Sequence, residues 1–315
     1  MATVREGKGK SLIAFPEEYV AVDLETTGMS AKWDEIIEIG AARFRDGKVV
    51  ETYQKLVNPG FEIDPFIEGL TGITNEMLID ASSIAEVLPG FISFLGTDTV
   101  MVGHNIAGFD SNFLYDAGER IGTPVRNDFV DTMRIARKLH KDWQHHRLSD
   151  LREWFGITDK NAHRALADAL ATSQALEVMR GEAIEAFGSV DDFIKAAKRK
   201  TATHGGGKKG FDDIVPTVDA FDEGHPFYGR EVVITGTLPG MTRAQAAQEI
   251  VNCGGCFSDS LRVKTTNYLV IADYSGCKTI AGKYSGKHEK ALKAKAKGSD
   301  IEIIDADAFF ELLKI

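Results

Sequence analysis

The chain has 315 residues, 43% hydrophobic and 27% charged, and its 37 Lys+Arg against 47 Asp+Glu give a formal net charge of −10; that length favours two domains with separate cores, and the composition excludes wholesale disorder. No apolar stretch approaches the roughly 18 to 20 residues of a membrane span, residues 1–10 lack the apolar core of a signal peptide, and three cysteines cannot build a disulfide framework, so a cytoplasmic protein with no membrane partner is expected. The acidic balance argues against a sequence-blind coat on nucleic acid, which needs an excess of positive charge.

The acidity is uneven. Residues 1–185 hold 19 Lys+Arg and 30 Asp+Glu, residues 186–215 hold six and four, and residues 216–315 hold 12 and 13. In chain order, Tyr19-Val20-Ala21-Val22-Asp23-Leu24 is a β-rich run that closes on the turn residues Thr26-Thr27-Gly28. Residues 36–44, then Asp46-Gly47, then Lys48-Val49-Val50 read as a hairpin with Asp-Gly at its turn. Val100-Met101-Val102 is a short buried strand running into Gly103. Residues 165–179 place Leu166, Ala169, Leu170, Ser173 and Leu176 three and four apart, one face of a helix. The fold class is α/β, and the early hairpin makes the sheet mixed.

Lys198-Arg199-Lys200 and the Gly205-Gly206-Gly207-Lys208-Lys209-Gly210 run read as a flexible basic linker. Beyond it, residues 230–235 form a strand and Thr242 caps a helix over 243–251. A strand follows at 268–271, a basic helix at 287–297 and a last strand at 301–304. Asp305 then caps a final helix carrying Phe309, Phe310, Leu312 and Leu313. The expected organisation is therefore a first domain over 1–187, a helix and linker over 188–225, and a small α/β domain over 226–315.

Chemistry concentrates in three segments of the first domain. Alternation along a strand puts Asp23 and Glu25 on one face and turns Leu24 the other way. Two like charges on one face repel unless a cation neutralises them, and an all-oxygen site suits Mg²⁺ or Mn²⁺; an exposed acidic strand face gives the same pattern. A third carboxylate, Asp110, ends the segment Gly103-His104-Asn105-Ile106-Ala107-Gly108-Phe109-Asp110 at the start of a helix. In the third segment, residues 161–169, His163 precedes Asp168 by five positions. Each of those two residues also has a plain reading, Asp110 as a cap and His163 as a cap or surface residue.

Taken together, the Asp-x-Glu-Thr-Thr-Gly segment, His104-Asn105 to Asp110 and the His-x4-Asp segment resemble the three exonuclease motifs of the DEDDh family, whose fold is similar to ribonuclease H. Further agreement lies at Ile36-Ile37-Glu38-Ile39-Gly40-Ala41, Leu70-Thr71-Gly72-Ile73-Thr74 and Asp131-Thr132-Met133, and the match spans residues 17–180. The resemblance implies a ribonuclease H-like mixed sheet with flanking helices and 3′→5′ removal of nucleotides from DNA 3′ ends. It further implies two divalent cations held by Asp23, Glu25, Asp110 and Asp168, with His163 taking a proton from the attacking water. The backbone at Thr26 and Thr27 approaches the terminal nucleotide, Gly28 permits the tight turn, and Phe109 and Met29 either stack on a terminal base or belong to the core. An RNA exonuclease of the same fold has the same carboxylates.

The C-terminal segment resembles a BRCT domain through residues 229–238, Cys253-Gly254-Gly255, residues 265–270 and the basic helix, with Phe309 or Phe310 where that family has Trp. The resemblance implies binding of a DNA end or of a polymerase or repair protein, and a phosphate pocket at Thr235, Gly236 and Lys290. A catalytically silent BRCT adaptor is the rival from another class, against which all five motif residues stand. Cys253 and Cys256 flank the Gly-Gly turn, and with Cys277 as the one remaining thiol they do not make a zinc site.

Overall fold

Apolar runs broken by turn chemistry dominate the first half of the chain. The computed structural model describes residues 5–143, 145–158, 164–198, 200–202, 214–273, 285–295 and 297–315. Two compact units emerge, Gly7–Ala196 and Ala197–Ile315 together with Met1–Glu6. No helix among the described residues is long and apolar enough to cross a membrane.

In the first unit the strands are β1 (Ser11–Leu12), β2 (Glu18–Thr26), β3 (Ile36–Arg45), β4 (Lys48–Leu56), β5 (Met101–Gly103) and β6 (Phe129–Asp131). They lie in the order β1-β6-β5-β2-β3-β4. β2, β3 and β4 pair antiparallel, whereas β5, β6 and β1 run parallel to β2. The sheet is therefore mixed, as the hairpin predicts. Asp46 and Gly47 both take positive φ (51° and 70°) at its two-residue turn, the conformation that matches strand twist. The first-unit helices are α1 (Pro65–Thr71), α2 (Asn75–Ile79), α3 (Ile84–Leu95), α4 (Asp110–Ile121), α5 (Thr132–Leu139), α6 (Leu148–Phe155), α7 (Ala165–Phe187) and α8 (Val190–Ala197).

β2 is the axis of this unit. Tyr19, Val20, Ala21 and Val22 are fully buried in sequence, so the strand is covered on both faces, and α7 packs across β2 and β3. α7 runs eight residues past the periodic stretch seen in the sequence, to Phe187, and stops at Gly188 with φ 84°. Its buried side is rich in alanine (Ala165, Ala167, Ala169, Ala171, Ala175, Ala183), which lets the helix backbone approach the sheet closely. Gly40 of β3 completes that fit: a Cβ there would overlap the Leu166 amide nitrogen and the Ala165 carbonyl carbon. The glycine is needed for space, not for a turn.

In the second unit, β7 (Lys200–Ala202) and β8 (Ala220–Asp222) form a two-stranded antiparallel ladder, so two short paired strands fall within the segment expected as helix and linker. The glycine run at 205–207 lies outside the described residues. The remaining strands, β9 (Glu231–Thr235), β10 (Cys256–Ser258), β11 (Thr266–Ile271) and β12 (Glu302–Asp305), form a parallel sheet ordered β10-β9-β11-β12. The helices are α9 (Arg243–Asn252), α10 (Gly286–Lys295) and α11 (Ala306–Leu312). Thr242 caps α9 through a capping box with Gln245, and Asp305 caps α11 through the Ala308 amide, as their positions in the sequence predict. Of the two phenylalanines on α11, Phe309 is the fully buried one, its ring 5.7 Å from that of Phe227.

Adding one methyl group where α7 meets β3 tests this packing. Gly40→Ala should destabilise the chain by about 1 to 3 kcal/mol, the usual cost of overpacking, measured by urea unfolding. The change should weaken divalent-cation binding as well, because it pushes α7, and Asp168 with it, away from β2.

Candidate functional site

The site lies where the topology reverses, at the carboxyl end of β2 between a parallel and an antiparallel neighbour. Crevices of this kind are where open α/β sheets bind ligands. The β2–β3 register sets Asp23 opposite Gly40 and Glu25 opposite Glu38. Directly opposed residues share a face, so Asp23, Glu25 and Glu38 all point toward the side covered by α7. Asp168, on the first turn of α7, joins them from above. One carboxylate oxygen from each of Asp23, Glu25 and Asp168 lies within 4.8 Å of the others.

Like charges this close raise one another's proton affinity. Burial, followed by Asp110, Asp168 and Glu25, pushes Asp23 well above the usual carboxylate range, with Arg152 pulling the other way. Glu25 is raised to about 9, first by burial and then by Asp168, Glu38 and Asp110, against the pull of Arg164. The set is all oxygen, crowded and partly dry. That chemistry fits a hard divalent cation, which would replace the protons.

Asp110 is not one of these three. It is 3% exposed, and its Oδ1 accepts the Leu24 amide at 3.1 Å, locking the first turn of α4 to the backbone between Asp23 and Glu25. Burial raises it to about 7, while the Leu24 amide and its own backbone amide pull it down. The loop leading to it is held by Asp131 at the end of β6, which accepts the amides of Asn105 (3.0 Å), Ala107 (3.2 Å) and Met133 (3.0 Å). His104 in that loop is no proton acceptor: burial drives it down to about 3, and its Nδ1 faces the Thr132 hydroxyl at 3.0 Å. His163 lies outside the described residues.

The turn after β2 is braced. Thr26 Oγ1 donates to the Gly28 carbonyl at 2.6 Å, and Thr27 is paired with Glu35 by two bonds, its amide to the Glu35 carbonyl (2.8 Å) and the Glu35 amide to its hydroxyl (2.9 Å). Gly28 does not adopt a positive φ; a Cβ at this position would strike the Asp34 carboxylate, so steric room is what the glycine supplies. Phe109 rests against Phe113 with ring centroids 4.9 Å apart, half-buried at the start of α4.

Two arginines outside the motif residues complete the site. Arg164 binds Glu38, which is fully buried, through Nη2–Oε1 at 2.6 Å and Nε–Oε2 at 3.1 Å, while the Ala165 amide and Gln54 Nε2 supply two more bonds. Burial alone would raise Glu38; these donors outweigh it and hold the carboxyl below its usual range. Arg152 of α6 pairs with Asp168 at 2.6 Å. One signal was visible in advance: a lone glutamate inside the apolar run Ile36-Ile37-Glu38-Ile39 calls for a buried partner.

In the second unit, Thr235 is buried with its hydroxyl on Ser285 Oγ at 3.1 Å, and Gly236 has φ 89° with no room for a Cβ beside the Ala272 carbonyl. Lys290 is exposed and its Nζ donates to the Leu261 carbonyl at 2.9 Å, whereas Lys287 reaches the Ile234 carbonyl, next to Thr235, at 3.4 Å. Lys287 thus meets the strand end that carries Thr235, and Lys290 meets the segment at Leu261. Cys253, whose thiol burial raises to about 12, carries no reactive thiolate.

Residues 20–176 match the family model of exonucleases designated RNase_T. The chain is 41% identical over 166 residues to a DNA polymerase III PolC-type protein of Caldanaerobacter subterraneus subsp. tengcongensis, covering 53% of this chain and 12% of that protein. It is 40% identical over 175 residues to the PolC-type polymerase of Latilactobacillus sakei subsp. sakei, covering 55% and 12%. It therefore spans about an eighth of the length of these relatives. Among solved structures, E. coli Exonuclease I in complex with a dT13 oligonucleotide is similar over 55% of this chain and 43% of that one, with 21% identity and a TM-score of 0.49.

The raised carboxylates set a pH dependence. Glu25, at about 9 in the fold against 4.5 when free, and Asp110, at about 7 against 3.8, bind more protons folded than unfolded. Stability therefore falls as pH rises through that window. In EDTA the melting temperature should drop between about pH 5 and pH 9, and Glu25→Gln or millimolar Mn²⁺ should flatten the slope. Thermal denaturation read by circular dichroism checks this, and a melting temperature that climbs across the window in EDTA would refute it.

Proposed function

We propose, from the premise that residues 20–176 are an exonuclease-family domain, that the chain is a metal-dependent 3′→5′ exonuclease acting on DNA 3′ ends. The observation that carries this is the convergence of Asp23, Glu25 and Asp168 within 4.8 Å at the carboxyl end of β2. When bound there, Mg²⁺ or Mn²⁺ supplies charge stabilisation for the attacking and leaving oxygens of a phosphodiester, most effectively as a pair.

The protein's own groups divide the remaining work. Asp23, Glu25 and Asp168 would hold the cations, and Asp110, tied to the Leu24 amide, would fix the strand that carries two of them. His163, one residue before Arg164, is the candidate for accepting the proton of the attacking water, since His104 is buried and neutral. The braced Thr26–Thr27–Gly28 turn presents backbone beside the carboxylates, where a terminal nucleotide would lie, and Phe109, next to Asp110, offers a half-buried ring face. DNA as the substrate is supported by the PolC-type relatives, which are DNA polymerases by name. That points to proofreading or repair.

For the second unit we propose a BRCT-like module over 226–315 that binds a protein partner or a DNA end. The parallel four-stranded sheet with β9 inside it, the buried Thr235 and the glycine corner at Gly236 support that reading, with Lys290 and Lys287 of α10 the lysines offered to an anionic group.

The test is digestion of 5′-labelled single-stranded DNA and RNA in Mg²⁺ or Mn²⁺. The expected product is a ladder of shortened labelled DNA. Asp23→Asn should lower the rate about 1,000-fold, the loss of several kcal/mol of charge stabilisation. Arg164→Ala should cost about 10- to 100-fold, the usual effect of removing a partner that orients ligands. Release of labelled mononucleotide at once would refute the polarity, and activity on RNA alone would refute the substrate.

A further inference from the structure

Arg152 is a cation in the wrong place for a passive helix residue. It sits in α6, yet its guanidinium crosses to α7, where Nη2 meets Asp168 Oδ1 at 2.6 Å and the Ala167 carbonyl at 3.3 Å. Both side chains are largely buried, 14% and 15% exposed. Its Nε, also buried, has no hydrogen-bond partner among the described residues. Asp168 is one of the three carboxylates whose oxygens converge, and the charge of Arg152 is felt by Asp23 as well.

An arginine cannot shed its proton at any pH a protein survives. A short, charge-assisted bond to Asp168 also occupies the carboxylate that a cation would need. Glu38 makes the contrast. Its arginine, Arg164, is matched two bonds to two oxygens, with the Ala165 amide and Gln54 filling the remaining sites, and Glu38 is not among the converging trio. That pair is structural. Arg152 instead reaches Asp168 through one nitrogen on one oxygen, and Asp168 is a member of the converging trio.

We infer that Arg152 is a resident counter-cation: it balances the cluster before a divalent ion loads and competes with that ion for Asp168, so that it sets the metal concentration at which the site fills. The inference rests on the metal-dependent reading above. It makes Arg152 a positioning residue with opposite effects in the two states, stabilising the metal-free fold and weakening the affinity for metal.

The experiment is Mn²⁺ titration of the full chain by calorimetry, without nucleic acid, beside thermal denaturation in EDTA and in saturating Mn²⁺. Arg152→Gln keeps a donor for Asp168 and removes the charge; it should bind Mn²⁺ about 10-fold more tightly, within the range that neighbours of metal ligands command. The same variant should melt lower than wild type in EDTA, and the gap should close in Mn²⁺, since a ligand stabilises in proportion to its affinity. Arg152→Lys keeps the charge and should stay near the wild-type affinity, which provides the comparison if the Gln variant folds poorly. Unchanged or weaker binding by Arg152→Gln, or a tightening by Arg152→Lys as large as that expected of Gln, would overturn the inference. A wild-type chain that binds no Mn²⁺ at all would instead overturn the metal-dependent reading.

Discussion

The buried Glu38–Arg164 pair is the constraint on which the catalytic half depends. β2 and β3 pair in a register that sets Glu25 against Glu38, two carboxylates facing each other on one side of the sheet. Left alone, that arrangement would be destabilising. Arg164 neutralises Glu38 with two bonds, and the next residue, Ala165, donates its amide to the same carboxylate. An acidic group at the first amide of a helix also complements the helix dipole. One interaction therefore removes a repulsion, starts α7 and fixes where α7 lands. Gly40 and the alanine side of α7 then let it land close, and Asp168 arrives within reach of Asp23 and Glu25 as a consequence.

The same cluster sets stability against function. A fold minimising its free energy would not gather Asp23, Glu25, Glu38, Asp110 and Asp168 around one strand end. It tolerates them by three means: guanidinium partners for Glu38 and Asp168, backbone amides for Asp110, and a raised proton affinity at Asp23 and Glu25. These means differ in permanence. Amide bonds and the fork on Glu38 are fixed by the fold, whereas protons and an arginine that meets its carboxylate through one nitrogen can be exchanged for a metal ion. The replaceable charges sit on the converging carboxylates, and the fixed ones sit behind them, an ordering suited to a site that fills and empties without unfolding.

Much of this was legible in the sequence, for a local reason. Strand alternation put Asp23 and Glu25 on one face, Asp-Gly set the hairpin, and the three- and four-residue spacing revealed α7, all short-range regularities. The arginines were not legible, because their partners lie far away along the chain: Arg164 meets Glu38 across 126 positions and Arg152 meets Asp168 across 16 and two helices. No periodicity encodes such a meeting. Two-residue and three-residue strands such as β1 and β6 escape for another reason, since they are too short to alternate and are held by their neighbours in the sheet. Gly28 and Gly40 show a third limit. Gly28 reads as a turn residue and Gly40 as a strand residue, but at both positions the reason for glycine is an atom elsewhere in the fold that leaves no room for a Cβ.

The net charge of −10 takes on a different meaning from this site. Taken as a sum it opposes binding to a polyanion. Five of the acidic groups, however, surround one strand end, where among the described residues Arg152 and Arg164 pair with two of them, and two of the five, Glu25 and Asp110, are raised to about 9 and 7. Near neutral pH these protons already blunt the local field, and divalent ions would reverse its sign where a phosphodiester must approach. The acidity that seemed to exclude nucleic acid is thus concentrated where cations can be recruited to meet it. What the composition excludes is binding by bulk attraction; it leaves open binding at one end, through metal, at a site whose charge the protein itself holds in check.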